Sequence, residues 1–294
     1  MKTYFDCIPC LVRQTLELSR FVSKEEDLQE KVLREALHLM SKMDLRQSPP
    51  AMAQKIHRML RSLTGVNDPY AKVKAKFNTL ALQLYPELEE KVHNSNDPLS
   101  TAACLAIAGN IIDFGVGFSV EQSDVTRTIT DALTASLDET AIADFKQAVE
   151  QARKILYIGD NAGEIVFDKL LVEQLLHQKI TFVVKGNPVI NDATMQDAIK
   201  TGMNELVEVI ENGSDAPGTI LEDCSDNFRR RFDDADLIIA KGQGNYETLS
   251  DIEKNIFFLL KAKCPVIARH LNCEIGTMVL RKNSIVQKTD VKQK

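Results

Sequence analysis

The chain of 294 residues has no tryptophan, only five histidines and only six cysteines. So few cysteines at this length exclude a disulfide-stapled scaffold, which depends on closely spaced thiol pairs. The histidines are scattered, with no His-Glu-x-x-His or other paired spacing, so a histidine-based catalytic or zinc-protease signature is missing. No run of about 18 apolar residues occurs, so no transmembrane helix is expected. The opening MKTYFDCIPC lacks the apolar core of a signal peptide, which makes a cytoplasmic location the default. Positive charge is not in excess either: 36 Lys and Arg stand against 42 Asp and Glu, a formal net charge of -6. That argues against a nucleic-acid partner, because phosphate backbones reward a basic face. A small phosphorylated ligand stays open, since it needs only a local cation. Oligomeric state is not legible. The lack of tryptophan by itself excludes nothing.

What is present is an ordinary globular composition, 44% hydrophobic and 27% charged, at a length that allows two domains. The pattern changes near residue 150. Before it the spacing is helical: residues 8–22, residues 25–43, and a helix opened by Ser48-Pro49-Pro50 and closed by Gly65. Asp68-Pro69 and Asp97-Pro98 repeat the same start signal. The second opens LSTAACLAIAGNIIDFG, apolar nearly all round and rich in small residues, which predicts a buried helix ending at Gly115 or Gly117. After residue 150, short apolar runs alternate with helical patterns. KILYIGD, ITFVVKG, LVEVIENG, DLIIAKG, IFFLL and PVIAR are each expected as strands. Continuous apolar runs fit strands covered on both faces. The fold class expected is α/β: a three-layer α/β/α domain with a mostly parallel sheet, plus an N-terminal all-helical domain. The expected boundaries are 1–148 for the helical domain, 149–284 for the α/β/α domain, in which the candidate metal-binding and catalytic residues below are sought, and 285–294 for a polar tail.

Ligands of open parallel sheets bind beyond the carboxyl ends of the strands, so the loops after the strands hold the candidates. Gly159-Asp160-Asn161-Ala162-Gly163-Glu164 follows the first strand and opens a helix, whose free N–H groups suit an anion. The plain alternative is a capping box with Asn161 as N-cap and Glu164 at N3. Asn191-Asp192-Ala193-Thr194 follows the second strand, where Asp192 alone reads equally well as an N-cap. Parallel neighbours would bring the two loops side by side. Asp160, Asn161 and Asp192 then converge, and carboxylate and amide oxygens without His or Cys favour Mg²⁺ or Mn²⁺ over zinc. Lys241-Gly242-Gln243-Gly244-Asn245 follows a later strand; the ammonium is expected to emerge at the ligand edge, and the glycines let backbone amides approach a ligand. It is not a Walker A loop, and a glycine turn with Asn245 as a cap is the plain reading. Asn212-Gly213-Ser214 could line the pocket. Asn110 and Asp113, three apart on the buried helix, pair within the core or face the cleft. Cys7-x-x-Cys10 alone is short of a zinc set, and Cys264 and Cys273 are not required to complete one.

Taken together, FDCIPC, SPP…TGVNDPY, AIAGNIIDFG, GDNAGEIVFD, NDAT, ENGS and KGQGNYE run in order over nearly the whole chain. In that combination the sequence resembles the metal-dependent damage-control phosphatase family, the acidic-residue-methyltransferase-like group once known as a domain of unknown function, in its microbial CxxC-bearing form. The resemblance implies a divalent metal (Mn, Mg, Co or Ni) on Asp160, Asn161 and Asp192, and a substrate phosphate met by the segment from Lys241 through Gly242 to Asn245. It implies hydrolysis of phosphate monoesters of small metabolites, sugar phosphates or damaged and surplus phosphometabolites. An Arg-Thr-x-Lys element of some eukaryotic relatives is absent, so its lysine is not carried over. Asp160, Asp192 and Lys241 are the expected catalytic groups, with Asn110 and Asp113 selecting the leaving group. Two alternatives stay open: a carboxyl methyltransferase using S-adenosylmethionine, and a non-catalytic phosphometabolite-binding protein.

Overall fold

The computed structural model describes residues 1–109, 129–131, 133 and 137–283. Its centre is a six-stranded sheet of β1 (Ile155–Ile158), β2 (Ile180–Val184), β3 (Glu208–Glu211), β4 (Leu237–Lys241), β5 (Ile256–Lys261) and β6 (Met278–Lys282) in the order β3-β2-β1-β4-β5-β6. All neighbours pair in parallel except β5 and β6. The period of two divides each apolar run between two cores. Ile155, Tyr157, Phe182, Val184, Leu237, Ile239, Phe257 and Leu259 enter one. Leu156, Ile158, Val183, Ile238, Ala240, Ile256, Phe258 and Leu260 enter the other. That is why these strands read as continuous hydrophobic runs.

Helices α1 (Cys7–Val22), α2 (Glu26–Ser41) and α3 (Pro49–Thr64) match the expected amino-terminal set. Prolines occupy the first two positions of α3, and Gly65 closes it at φ +69°, the left-handed conformation that favours glycine. These helices share two small clusters of their own, one around Leu11, Met40 and Ile56, the other around Leu18, Leu60 and Tyr70. Next come α4 (Ala71–His93) and α5 (Pro98–Gly109). Asp97 caps α5 by accepting the Ser100 N–H, but Asp68 lies three residues before α4, where its carboxylate accepts the Tyr70 N–H within the turn. The expected end of α5 at Gly115 or Gly117 falls outside the described residues. From Ala102 to Gly109 every residue of α5 is buried.

After residue 137, α6 (Glu139–Gln151), α7 (Glu164–Val172), α8 (Met195–Thr201) and α9 (Met203–Leu206) join α4 and α5 on the first core. Helices α10 (Asp226–Asp234), α11 (Gly242–Leu249) and α12 (Pro265–Leu271) cover the second. The first core unites residues on both sides of position 148, from Ala102 and Phe145 to Tyr157 and Leu171. One expected strand is a helix: PVIAR forms α12, with Pro265 in its first turn. A five-residue apolar run has no period that separates strand from buried helix, and a proline pre-set at φ near −65° favours the helix start. Among the described residues no helix is long and apolar enough to cross a membrane. The tail from residue 284 onward is outside the described residues.

Candidate active site

The chain leaves β1 for β2 and β3 on one side, then returns to β4 on the other, so the carboxyl ends of β1 and β4 frame the crevice of an open sheet. Asp160 follows β1 and Gly242 follows β4. The loops after β1 and β2 are joined as a short antiparallel bridge between Asn161 and Asp192. Ala162 N–H donates to the Asn191 carbonyl and Ala193 N–H donates to the Asp160 carbonyl, each at 2.8 Å. This bridge gathers Asp160, Asn161 and Asp192. Asn161 and Asp192 are 5% and 3% exposed, while Asp160 is half-buried.

The Asn161 amide has a fixed sense. Its Nδ2 donates to Asp160 Oδ2 (3.0 Å) and to Glu164 Oε2 (2.9 Å), and among the described residues no hydrogen bond reaches Oδ1. The nitrogen faces the two carboxylates, and the carbonyl oxygen points away from them. Gly242, at φ +79°, completes the wall: a Cβ there would stand 1.8 Å from Asp160 Oδ2, so only glycine lets that carboxylate lie against the chain.

Two helices clamp these loops from the amino-terminal region. On α4, Asn78 accepts the Gly163 N–H (2.7 Å) and donates to Asp197 Oδ1 (2.8 Å), and Lys74 bridges Asp68 and Asp197. On α3, Arg58, Arg61 and Gln54 hold Asp215, Arg58 and Gln54 also hold Asp223, and Arg61 donates to the Pro188 carbonyl. Burial opposes ionisation of Asp215, but the bonds from Arg58 and Gln54 and the charges of Arg58 and Arg61 hold its carboxyl below the usual range. None of these braces was foreseen, because each pairs residues more than 100 positions apart or unremarkable in isolation.

Several expected roles change. Lys241 does not emerge at the crevice. It is fully buried, donating to Glu164 Oε1 (2.7 Å), Asp168 Oδ1 (2.5 Å) and the Ala106 carbonyl (2.8 Å). Strand alternation puts it on the face of Leu237 and Ile239, against α5 and α7, a signal the sequence contained. Burial alone would push its ammonium down; the two carboxylates more than offset this and hold it at about 12. Burial raises the Asp168 carboxyl, against the pull of Lys241, and Tyr157 donates its hydroxyl to the same oxygen.

Asn245 is also fully buried and spends its amide internally, accepting from Thr219 and donating to the Lys241 and Gly159 carbonyls. It lies inside the first turn of α11, not at a cap. Asp192 is not a cap either; α8 begins at Met195 with a Thr194–Asp197 capping box. At α7 the N-cap position is Gly163, not Asn161. The expected anion site there is taken up from within: the N–H groups of residues 161, 162, 163 and 165 donate to Glu164, Asn191, Asn78 and Asn161. At α11, by contrast, no acceptor is found for the Gly242, Gln243 and Gly244 amides among the described residues. Asn212 braces the loops, its Oδ1 accepting from the Gly186 and Ser214 amides.

Lys185 was missed, although it directly follows β2 much as Lys241 ends β4. It is 2% exposed, with Nζ 3.3 Å from Asp192 Oδ2. Asn110 and Asp113 lie outside the described residues. Cys7 and Cys10 are half-buried thiols that burial pushes up, so neither is an activated thiolate. No group of three or more His, Cys, Asp and Glu is placed to hold a metal among the described residues, and the Asp-Asn-Asp set differs in having an amide as its third donor.

Comparison with known proteins gives one answer. A family model described as the damage-control phosphatase ARMT1-like domain matches residues 3–279. A damage-control phosphatase of Archaeoglobus fulgidus is 36% identical over 283 residues, covering 94% of this chain and 97% of the relative. Another, from Pyrococcus horikoshii, is 35% identical over 290 residues, covering 96% and 99%. The crystal structure of a DUF89 family protein from Pyrococcus horikoshii matches with a TM-score of 0.87 at 33% identity, covering 97% of this chain and 100% of that one. With agreement over nearly its whole length in both sequence and fold, the chain belongs to the damage-control phosphatase ARMT1-like family and is a phosphatase.

Proposed function

We propose that the protein hydrolyses phosphate monoesters of small metabolites, sugar phosphates among them, with a divalent cation held by Asp160, Asn161 and Asp192. The observation that carries this reading is the backbone bridge between the β1 and β2 loops, which sets Asp160, Asn161 and Asp192 side by side at the crevice and so supports three oxygen donors for one cation. All three donors are hard oxygens, suited to Mg²⁺ or Mn²⁺, with Co²⁺ and Ni²⁺ as further candidates. The phosphate meets the open first-turn amides of Gly242, Gln243 and Gly244. Asp160 Oδ2 lies against Gly242, so an anion there faces a carboxylate, and a cation held by Asp160, Asn161 and Asp192 would relieve the repulsion. When bound, such a cation neutralises phosphate charge and acidifies water.

The protein groups do the rest. Asp160, more exposed than Asp192, Glu164 or Asp168, accepts the proton of the attacking water. Glu164 orients Asn161, and Lys241 in turn holds Glu164, so Lys241 acts through the chain Lys241–Glu164–Asn161 as a positioning residue. Phosphoryl transfer depends mainly on such placement and charge.

The test is phosphate release from a panel of sugar phosphates and p-nitrophenyl phosphate, with EDTA and then with Mg²⁺, Mn²⁺, Co²⁺ or Ni²⁺. Activity is expected to vanish in EDTA and in Asp160→Asn and Asp192→Asn, and to return to the wild-type chain with cation. Full turnover in EDTA, or in either variant, would contradict the assignment.

A further inference from the structure

Lys185 carries a buried charge that the phosphatase reaction as set out above does not use. Its backbone N–H donates to the Ala193 carbonyl (2.9 Å), which fixes the residue beside the loop of Asp192. Its ammonium donates to the Gly218 carbonyl (2.5 Å) and stands 3.3 Å from Asp192 Oδ2. Gly218, at φ +138°, is pressed onto the α11 loop, where a Cβ would come within 2.5 Å of the Gly244 carbonyl. One side chain therefore links Asp192, the loop after β3 and, through Gly218, the glycine loop after β4. At 2% exposure, a full positive charge is an expensive way to satisfy one carbonyl; an amide or hydroxyl would do it without losing the hydration of an ion. The charge is explained by the carboxylate.

We propose that Lys185 is the positioning residue of Asp192: its ammonium holds the carboxylate in ligating position in the cation-free protein and opposes the divalent cation once it binds. The inference rests on the cation reading given under the proposed function. Lys185 then keeps the buried Asp192 carboxylate in place without metal and also limits how tightly metal is held. Even if screening were as strong as in water, a unit charge held against a ligand of a divalent ion would weaken binding by about tenfold, so at this buried site tenfold is the least effect expected.

The experiment compares wild type, Lys185→Met, Lys185→Gln and Lys185→Arg as full-length proteins, with Mn²⁺ alone as the probe. Calorimetric titration gives the Mn²⁺ Kd, and thermal unfolding gives Tm with and without Mn²⁺. In Lys185→Met the cation-free Tm falls, Mn²⁺ recovers most of the loss, and the Mn²⁺ Kd drops by about tenfold, so the cation-induced rise in Tm exceeds that of wild type by about 2 °C. Lys185→Arg keeps the charge and the wild-type Tm rise. Lys185→Gln, neutral but able to donate to a carbonyl, follows Lys185→Met and carries the test if the methionine variant does not fold. Equal loss of Tm with and without Mn²⁺ would reduce Lys185 to a structural bridge. An unchanged Mn²⁺ Kd with a raised KM for the phosphate ester would make it a substrate contact. Either result overturns the proposal. If wild type itself takes up no Mn²⁺, the cation reading falls; if wild type binds and the neutral variants match it, only the role of Lys185 falls.

Discussion

Gly242→Ala separates the cost of backbone strain from the cost of disturbing the site. Gly65 is the control: its φ of +69° is close to the +79° of Gly242, but a Cβ at Gly65 has nothing within 4 Å. Gly65→Ala therefore costs about 1 kcal/mol, from the left-handed backbone alone. At Gly242 the new Cβ would overlap Asp160 Oδ2 at 1.8 Å and Cγ at 2.4 Å. A short side chain can rotate away, so the extra stability cost is modest and the total stays within about 1–3 kcal/mol. The carboxylate, however, must move by more than 1 Å to reach ordinary contact. Displacement on that scale costs about 100-fold in rate, and it takes one ligand from the cation. The assay is urea unfolding of both variants alongside phosphate release across a Mn²⁺ titration. Similar stability losses are expected, with activity and cation affinity lost only in Gly242→Ala. If Gly242→Ala keeps wild-type turnover and Mn²⁺ affinity, Asp160 is not a ligand in this geometry.

Other substitutions test the surroundings of the site. Lys241→Met leaves Glu164 and Asp168 buried without their ammonium and costs about 3–5 kcal/mol in urea unfolding; an unchanged midpoint would mean the buried ion pair is not formed. Asn78→Ala removes the bonds to Gly163 and Asp197 from a fully buried residue and costs about 2–4 kcal/mol, with a weaker Mn²⁺ affinity from loosened loops; wild-type values of both would exclude the clamp. Burial pushes the Glu247 carboxyl up from 4.5 to about 7, although Gln243 and the amino terminus pull it down. The folded chain then holds that proton more tightly than the unfolded one, so stability falls as pH rises from about 4.5 to about 7, by at most ~3 kcal/mol. Glu247→Gln is expected to be more stable than wild type at pH 8 and no less stable at pH 4; equal Tm at pH 8 would show that Glu247 ionises without penalty.

The strand runs and the loops after them were legible because burial on both faces and the carboxyl-edge rule act locally. Asp160, Asn161 and Asp192 followed from that rule together with the pairing of β1 and β2. Side-chain direction was legible in part: counting alternate residues from Leu237 sends Lys241 into the α5–α7 layer, and the same count was available for Lys185. Cap positions were legible at Ser48, Gly65 and Asp97 but not at three other sites. Asp68, Asn161 and Asp192 all have capping chemistry, yet helices α4, α7 and α8 each begin three residues later: Asp68 closes a turn onto Tyr70, and Asn78 and the Asn161–Asp192 bridge take over backbone groups at the other two. The clamps from α3 and α4 depend on how helices far away in sequence dock on the sheet, and no local pattern encodes that docking.

The central claim is that Asp160, Asn161 and Asp192 hold a divalent cation, and anomalous diffraction from a crystal soaked in Mn²⁺ tests it directly. The account predicts a Mn²⁺ peak about 2.0–2.4 Å from oxygens of all three residues, lost in Asp192→Asn. A peak elsewhere, such as beside Cys7 and Cys10, or no peak in a crystal form of the protein active with Mn²⁺, would contradict it.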